Sequence, residues 1–164
     1  MPLYYKDTHH LSELDIGLLM GMNGFIIFLL EMPLIKWLEE SKYSKEFLMF
    51  FGLFLTGISF FVLNLTGWTG ILIIGMLFMT IGEMIAFPFS NAFVMERAKR
   101  GNQGEYMAYY SIAFSLAHIF GHNSGMQMVD AFGFDKTWTI ITIMSIVGLG
   151  FLLLLMRIVK KESV

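Results

Sequence analysis

The sequence predicts an all-α membrane protein whose five transmembrane helices form an incomplete bundle. Three observations predict it. The first is composition. Of 164 residues, 56% are hydrophobic and 15% are charged, against roughly 45–50% and about 25% in soluble domains. The surface of a folded soluble protein is already more than half apolar, so a water-soluble domain of this size cannot hide the excess. The second is that the apolar residues fall into five continuous runs, each near the ~20 residues a helix needs to cross about 30 Å of hydrocarbon. A β-barrel would alternate apolar and polar positions in ~10-residue segments, and lipid leaves open strand edges unsatisfied. The third is the segregation of Lys and Arg between alternate connections.

The elements follow in order. Residues 1–14 (MPLYYKDTHHLSEL) are polar and aromatic, and read as an extracytoplasmic lead-in segment. They carry no basic start, early apolar run or small-residue cleavage site. The five-helix bundle occupies 15–159. Its helices are expected at about 15–38, 47–65, 69–94, 106–132 and 137–159, and residues 160–164 form a cytoplasmic tail. The connections 39–46, 66–68, 95–105 and 133–136 are short, so each helix runs antiparallel to the next. No linker marks a domain boundary.

Orientation follows from the cations. Lys36, Lys42, Lys45, Arg97, Lys99, Arg100, Arg157, Lys160 and Lys161 fall on one side, and Lys6 and Lys136 on the other. Basic residues stay on the cytoplasmic side. The reading is a multi-pass protein of the cell (inner) membrane, with the N-terminus outside and the C-terminus in the cytoplasm. Nothing in residues 1–14 explains export of the N-terminus, so a further helix is expected before Met1.

Net charge is −2 and cysteine is absent. The first gives no attraction to nucleic acid. The second removes disulfides, thiolate catalysis and cysteine metal sites. The 14 Met and 17 Phe suit helices packed in lipid.

Two carboxylates, Glu31 and Glu83, lie deep inside predicted spans. An ionisable group there costs a few kcal/mol and faces protein or a water-filled cavity. Thr80, Phe87 and Ser90 share the Glu83 face at helical spacing. Glu31 stands with Gly24 and Phe28, and Lys36 is near enough for a local pair. Pro33 and Pro88 follow the two carboxylates and permit bends. Both carboxylates are read as proton-carrying or cation-recognising groups, against the plainer role of bonding a neighbouring helix. On the fourth helix Ser111, Ser115, His118 and His122 form a polar stripe on one face, with Asn123 and Gln127 beyond. Histidine titrates near neutrality, so His118 and His122 could relay protons or bind an anion, or simply bond across helices. A metal site there would need a carboxylate as well. The His122–Gly125 run lacks the first glycine of an intramembrane serine protease motif. No nucleophile–base pair emerges, so the chain does not read as an enzyme, and no cofactor is expected. Gly17 with Gly21, and Gly121 with Gly125, have helix-packing spacing. Tyr4, Tyr5, Trp37, Trp68 and Trp138 fall near expected interfaces, as an aromatic belt would.

Several segments resemble the major facilitator superfamily (MFS). Pro2–Asp7 with Leu11-Ser12-Glu13 and Ile16–Leu19 is similar to the outer loop before the eighth helix of that family. Gly82–Pro88 (GEMIAFP) resembles the bent tenth helix of drug-efflux members. Gln103–Ser111 (QGEYMAYYS), then Ala117 and Gly121, resembles the Arg-Gly-x-Tyr-x-x-x-Tyr-Ser start of the eleventh. Asp130–Gly133 and Trp138 resemble the turn into the twelfth. Gln103 replaces the family arginine, and Leu34–Glu40 lacks the glycine and arginine of the gating loop. The resemblance covers nearly the whole chain. It implies the C-terminal part of a permease, helices eight to twelve, partnered by a missing N-terminal half of the same transporter. The function implied is proton-coupled efflux of drugs or small metabolites by alternating access, with Glu83, Ser115, His118, His122 and Glu31 along the substrate and proton pathway. An uptake permease for sugars or peptides is the nearest alternative, and a small non-transporting assembly or scaffold protein is the rival from another class.

Overall fold

The computed structural model describes residues 2–65, 67–98 and 101–162. Met1, Thr66, Lys99, Arg100 and the last two residues of the expected tail lie outside them, so the structure does not address the readings placed there. Every regular element among the described residues is a helix: α1 (Pro2–Asp7), α2 (Glu13–Glu39), α3 (Lys45–Leu63), α4 (Ile71–Arg97) and α5 (Gln103–Glu162). This is the all-α membrane architecture expected. Four of the helices are long and apolar enough to cross a membrane.

The helices overrun most of the expected spans for a local reason. Hydropathy marks the depth of the lipid, whereas hydrogen bonds mark the ends of a helix. Ser12 caps α2: its Oγ accepts from the Asp15 amide at 3.2 Å, and the Asp15 carboxylate accepts from the Ser12 amide at 3.3 Å. This reciprocal capping starts the helix at Glu13 rather than 15. Ser44 caps α3 in one direction, its Oγ accepting from the Phe47 amide at 3.3 Å. Pro33 and Pro88 lie within α2 and α4, which continue through them.

The connection expected at 133–136 contracts to one residue. Helix α5 has 60 residues, a length of about 90 Å at 1.5 Å per residue. No straight helix of that length fits one hydrocarbon thickness of about 30 Å, and α5 is bent into two arms, each long enough to cross it. Gly133, at φ 79° and ψ 172°, divides it into arms 103–132 and 134–162. Only glycine occupies that backbone region without strain. The Thr137 hydroxyl donates to the Gly133 carbonyl at 2.7 Å and secures the start of the second arm.

The centre of the bundle is the α3–α4 pair. A Cβ added to Gly52 would lie 2.7 Å from the Gly82 carbonyl oxygen and the Ala86 nitrogen. One added to Gly82 would lie 2.6 Å from Thr56 Oγ1 and 2.7 Å from the Gly52 oxygen. Only glycine lets these backbones approach so closely. The pairs expected to do this, Gly17 with Gly21 and Gly121 with Gly125, have nothing within 4 Å of an added Cβ. Spacing shows that small residues share a helix face, but not that another helix stands opposite.

The second arm of α5 runs antiparallel along α3. The Asn64 amide donates to Thr139 Oγ1 at 3.1 Å, and Gly57 and Leu53 meet Ser145 and Gly148 further along. At one end, α1 closes the bundle through a core of Tyr4, Tyr5, Leu63, Ile71, Leu72 and Trp138. The Tyr4 hydroxyl donates to the Leu63 carbonyl at 3.3 Å, and its ring meets Trp138 edge-on with centroids 5.3 Å apart. Burial, with the Asp135 carboxylate second, pushes the Tyr4 phenol above its ordinary pKa and keeps it a donor. At the other end Leu38, Leu48, Leu55, Ile85 and Phe89 form a second core. There Lys45 pairs with Glu96 at 2.7 Å, and Arg97 pairs with Glu162. This is the basic end.

The close approach gives a direct test. Gly82→Leu should destabilise the protein toward the upper part of the roughly 1–3 kcal/mol range for overpacked sites, whereas Gly17→Leu should leave stability unchanged. Thermal unfolding of the detergent-solubilised variants, followed by circular dichroism, compares them.

Candidate functional site

Helices α2 and α4 run in the same direction, because α3 returns the chain between them. Their partners advance together. Leu19 and Leu72 line one recess, Thr80 reaches Asn23, and Glu31 shares a cleft with Phe87. The α2–α4 seam therefore runs the length of the bundle; beyond the recess of Leu19 and Leu72, which Asp15 and Thr69 also line, two recesses hold its mid-helix carboxylates.

The upper recess is a cavity of about 120 Å³. Glu83 lines it with Asn23, Thr80, Tyr5 and three methionines, Met20, Met76 and Met79. The Thr80 hydroxyl has one proton and two acceptors within reach, Asn23 Oδ1 and the Met76 carbonyl at 2.7 Å. Glu83 is half-buried. Among the described residues it makes no ion pair or hydrogen bond with another side chain. A carboxylate, a hydroxyl and an amide thus line a small recess that is otherwise mostly apolar. Such a group can take a proton or hold a small cation against flanking oxygens.

The lower recess, nearer the basic end, is a more open cleft of about 360 Å³. Glu31 lines it with Phe87, Pro88, Asn91, Tyr110 and Phe114. Tyr110 and Ser90 hold each other, their hydroxyls 2.8 Å apart. The Phe87 ring meets Phe114 edge-on, with centroids 5.7 Å apart. No Glu31–Lys36 pair forms among the described residues. The face expected around Glu83 is therefore shared out: Thr80 serves the Glu83 cavity, Phe87 the Glu31 cleft, and Ser90 bonds Tyr110.

The polar stripe of α5 lines neither carboxylate's recess. Ser115, His118 and His122 are exposed on the first arm. His118 packs edge-on against Phe114, with centroids 6.1 Å apart. His122 lines a separate recess of about 200 Å³ beside Leu3 and Trp138. None of the three lines the Glu83 cavity. Three recess-lining residues are not among the expected site residues: Asn23, Tyr5, expected only as an interfacial anchor, and Tyr110, named only within the Gln103–Ser111 resemblance. Asn23 had a signal: it is the amide at mid-depth in a run otherwise almost wholly apolar.

The family model for the Major Facilitator Superfamily matches residues 1–164. The chain is 28% identical over 130 residues to a Planococcus maritimus protein named Na(+), Li(+), K(+)/H(+) antiporter, covering 79% of this chain and 30% of that protein. It is 24% identical over 151 residues to an uncharacterized MFS-type transporter of Bacillus subtilis (strain 168), covering 90% and 36%. The chain thus spans about a third of the length of the curated relatives it matches. No solved structure matches it.

The contact between Asn23 and Thr80 is the polar tie that fastens α2 to α4. Interhelical hydrogen bonds in membranes are worth about 0.6 kcal/mol on average. Asn23→Leu and Thr80→Val should each destabilise the protein by about that much, with little added effect in the double variant. A double-mutant cycle in mixed micelles measures the coupling.

Proposed function

The chain belongs to the Major Facilitator Superfamily, and from that membership we propose that it forms part of a secondary active transporter that moves a small solute out of the cell in exchange for protons. The observation that carries this reading is Glu83. It lies mid-helix in a membrane span, in a cavity, with no counter-charge beside it among the described residues. An idle carboxylate at that depth is costly. One that alternately holds a proton and holds solute has a use for the position. In alternating access the cavity opens to one side and then the other, and midplane groups between helices are where substrate and coupling ion bind. The relative named as a cation/proton antiporter supports exchange with protons.

Two further features support a larger assembly. The stripe of Ser115, His118 and His122 is exposed on a membrane helix, where polar groups normally face protein or water. An N-terminal half of the same transporter, packed on this arm, would cover it and complete the pathway. The basic end faces the cytoplasm on the rule that Lys and Arg stay inside, which puts α1 on the outer face of the cell membrane. The solute class read from the resemblance is a drug or small metabolite. A monovalent cation is a second reading. It is favoured by the oxygens of Asn23, Thr80 and Glu83 around a small cavity and by the name of the relative.

The test is proton flux in everted membrane vesicles carrying the protein as its gene encodes it. Glu83→Gln should reduce solute-driven proton movement at least tenfold. Adding Na⁺, K⁺ or Li⁺ in parallel with a cationic dye distinguishes the two solute classes. A Glu83→Gln protein with the normal rate and pH dependence overturns the proposal.

A further inference from the structure

Resting on the reading of Glu83 as the proton-exchanging group, we propose that Glu31 is a second proton station on the same seam, and that the Phe87 ring is the barrier between them. The register of the seam carries this. Phe87 is four residues beyond Glu83 on α4, a rise of about 6 Å along the same face. It lines the cleft of Glu31, whereas Glu83 lines the cavity above. Glu31 thus lines the recess nearer the basic end, and Phe87 reaches that recess from the helix that carries Glu83, one turn beyond it.

Each half of this arrangement is suited to its place. The Glu31 cleft is the more open of the two and lies toward the basic end, which the proposed orientation puts in the cytoplasm. Besides Glu31, Tyr110 is the one titratable side chain lining it, and Asn91 supplies an amide. Lys36 forms no ion pair with Glu31 among the described residues. Phe87 is held edge-on against Phe114, and Pro88 follows it in a helix that there lacks one backbone donor. Phe87 and Phe114 are 49% and 45% exposed in this chain, so the barrier proposed is the bulk of the Phe87 ring on the seam. A proton passes between carboxyl groups only through direct contact or a bridging water, so the seated ring keeps the two stations apart.

The transfer balances. With the ring displaced, water bridges the recesses. The protonated Glu83 carboxyl gives its proton to that water, and the water gives one of its own to the Glu31 carboxylate. Glu83 is left ionised and Glu31 neutral, with no net change in charge. Glu31 then releases the proton to the basic side. Two stations with a movable barrier let the transporter hold a proton without an open file of water across the membrane.

The experiment uses everted vesicles as above, with four variants. Glu31→Gln should lower proton-coupled exchange at least tenfold, and Glu31→Asp should retain most of it. In Glu31→Gln, modification of Glu83 by a hydrophobic carbodiimide, read by mass spectrometry, should continue at the wild-type level, which shows the upper site intact. Phe87→Ala should make an imposed pH gradient decay several-fold faster in the absence of solute, and Phe87→Leu should stay tight. Wild-type exchange and pH profile in Glu31→Gln, or a tight Phe87→Ala, overturns the inference. If Glu83→Gln is inactive while Glu31→Gln is normal, this inference alone fails. If Glu83→Gln is also normal, the reading beneath it fails.

Discussion

In lipid the hydrophobic effect gives helices no reason to leave the bilayer for one another, so association depends on how closely backbones can approach. In this protein that approach is made where Gly52 and Thr56 of α3 meet Gly82 and Ala86 of α4. Everything else is arranged around the contact. The second arm of α5 takes the neighbouring face of α3, α2 lies along α4, and α1 closes one end over Leu63 and Leu72. A side chain at Gly82 would push α4 outward and carry Glu83, the next residue, with it. The packing contact and the candidate site are thus adjacent on one helix: the glycine faces the rigid partner and the carboxylate turns toward the looser seam.

That looseness matters to the chemistry. Helix α2 is largely exposed, and its polar attachment to α4 is the contact between Asn23 and Thr80. A seam held by few contacts can open and close at small free-energy cost, which a tightly interdigitated interface cannot. The methionines that line the Glu83 cavity fit the same logic, since an unbranched thioether re-forms its packing as the wall shifts.

Much of the helical architecture is legible in the residues because lipid imposes long apolar runs. The ends of the helices were less legible. Ser12 and Ser44 extend α2 and α3 by side-chain hydrogen bonds that hydropathy does not register. The packing glycines were misjudged because Gly17/Gly21 and Gly121/Gly125 show the same spacing as Gly52/Thr56 and Gly82/Ala86, and only the tertiary fold decides which face has a neighbour. Thr80 was found beside Glu83 because both lie on one helix at short range. Asn23 completes the same cavity from another helix, and no local pattern joins the two. For the same reason the histidine stripe, legible as a stripe, could not be placed relative to Glu83.

The one-residue corner at Gly133 has a mechanical meaning. A loop of several residues would absorb the movement of one span before it reached the next. Here the hydrogen-bonded helix resumes at once, anchored by Thr137 on the Gly133 carbonyl, so the two arms of α5 form a bent lever with no slack at its elbow. The lower part of the first arm carries Tyr110 and Phe114, which wall the Glu31 cleft. The second arm lies against α3 and reaches Arg97 through Glu162. The cleft at the front of the bundle and the α3 face at its back are therefore built from one chain segment with a single backbone residue between its arms.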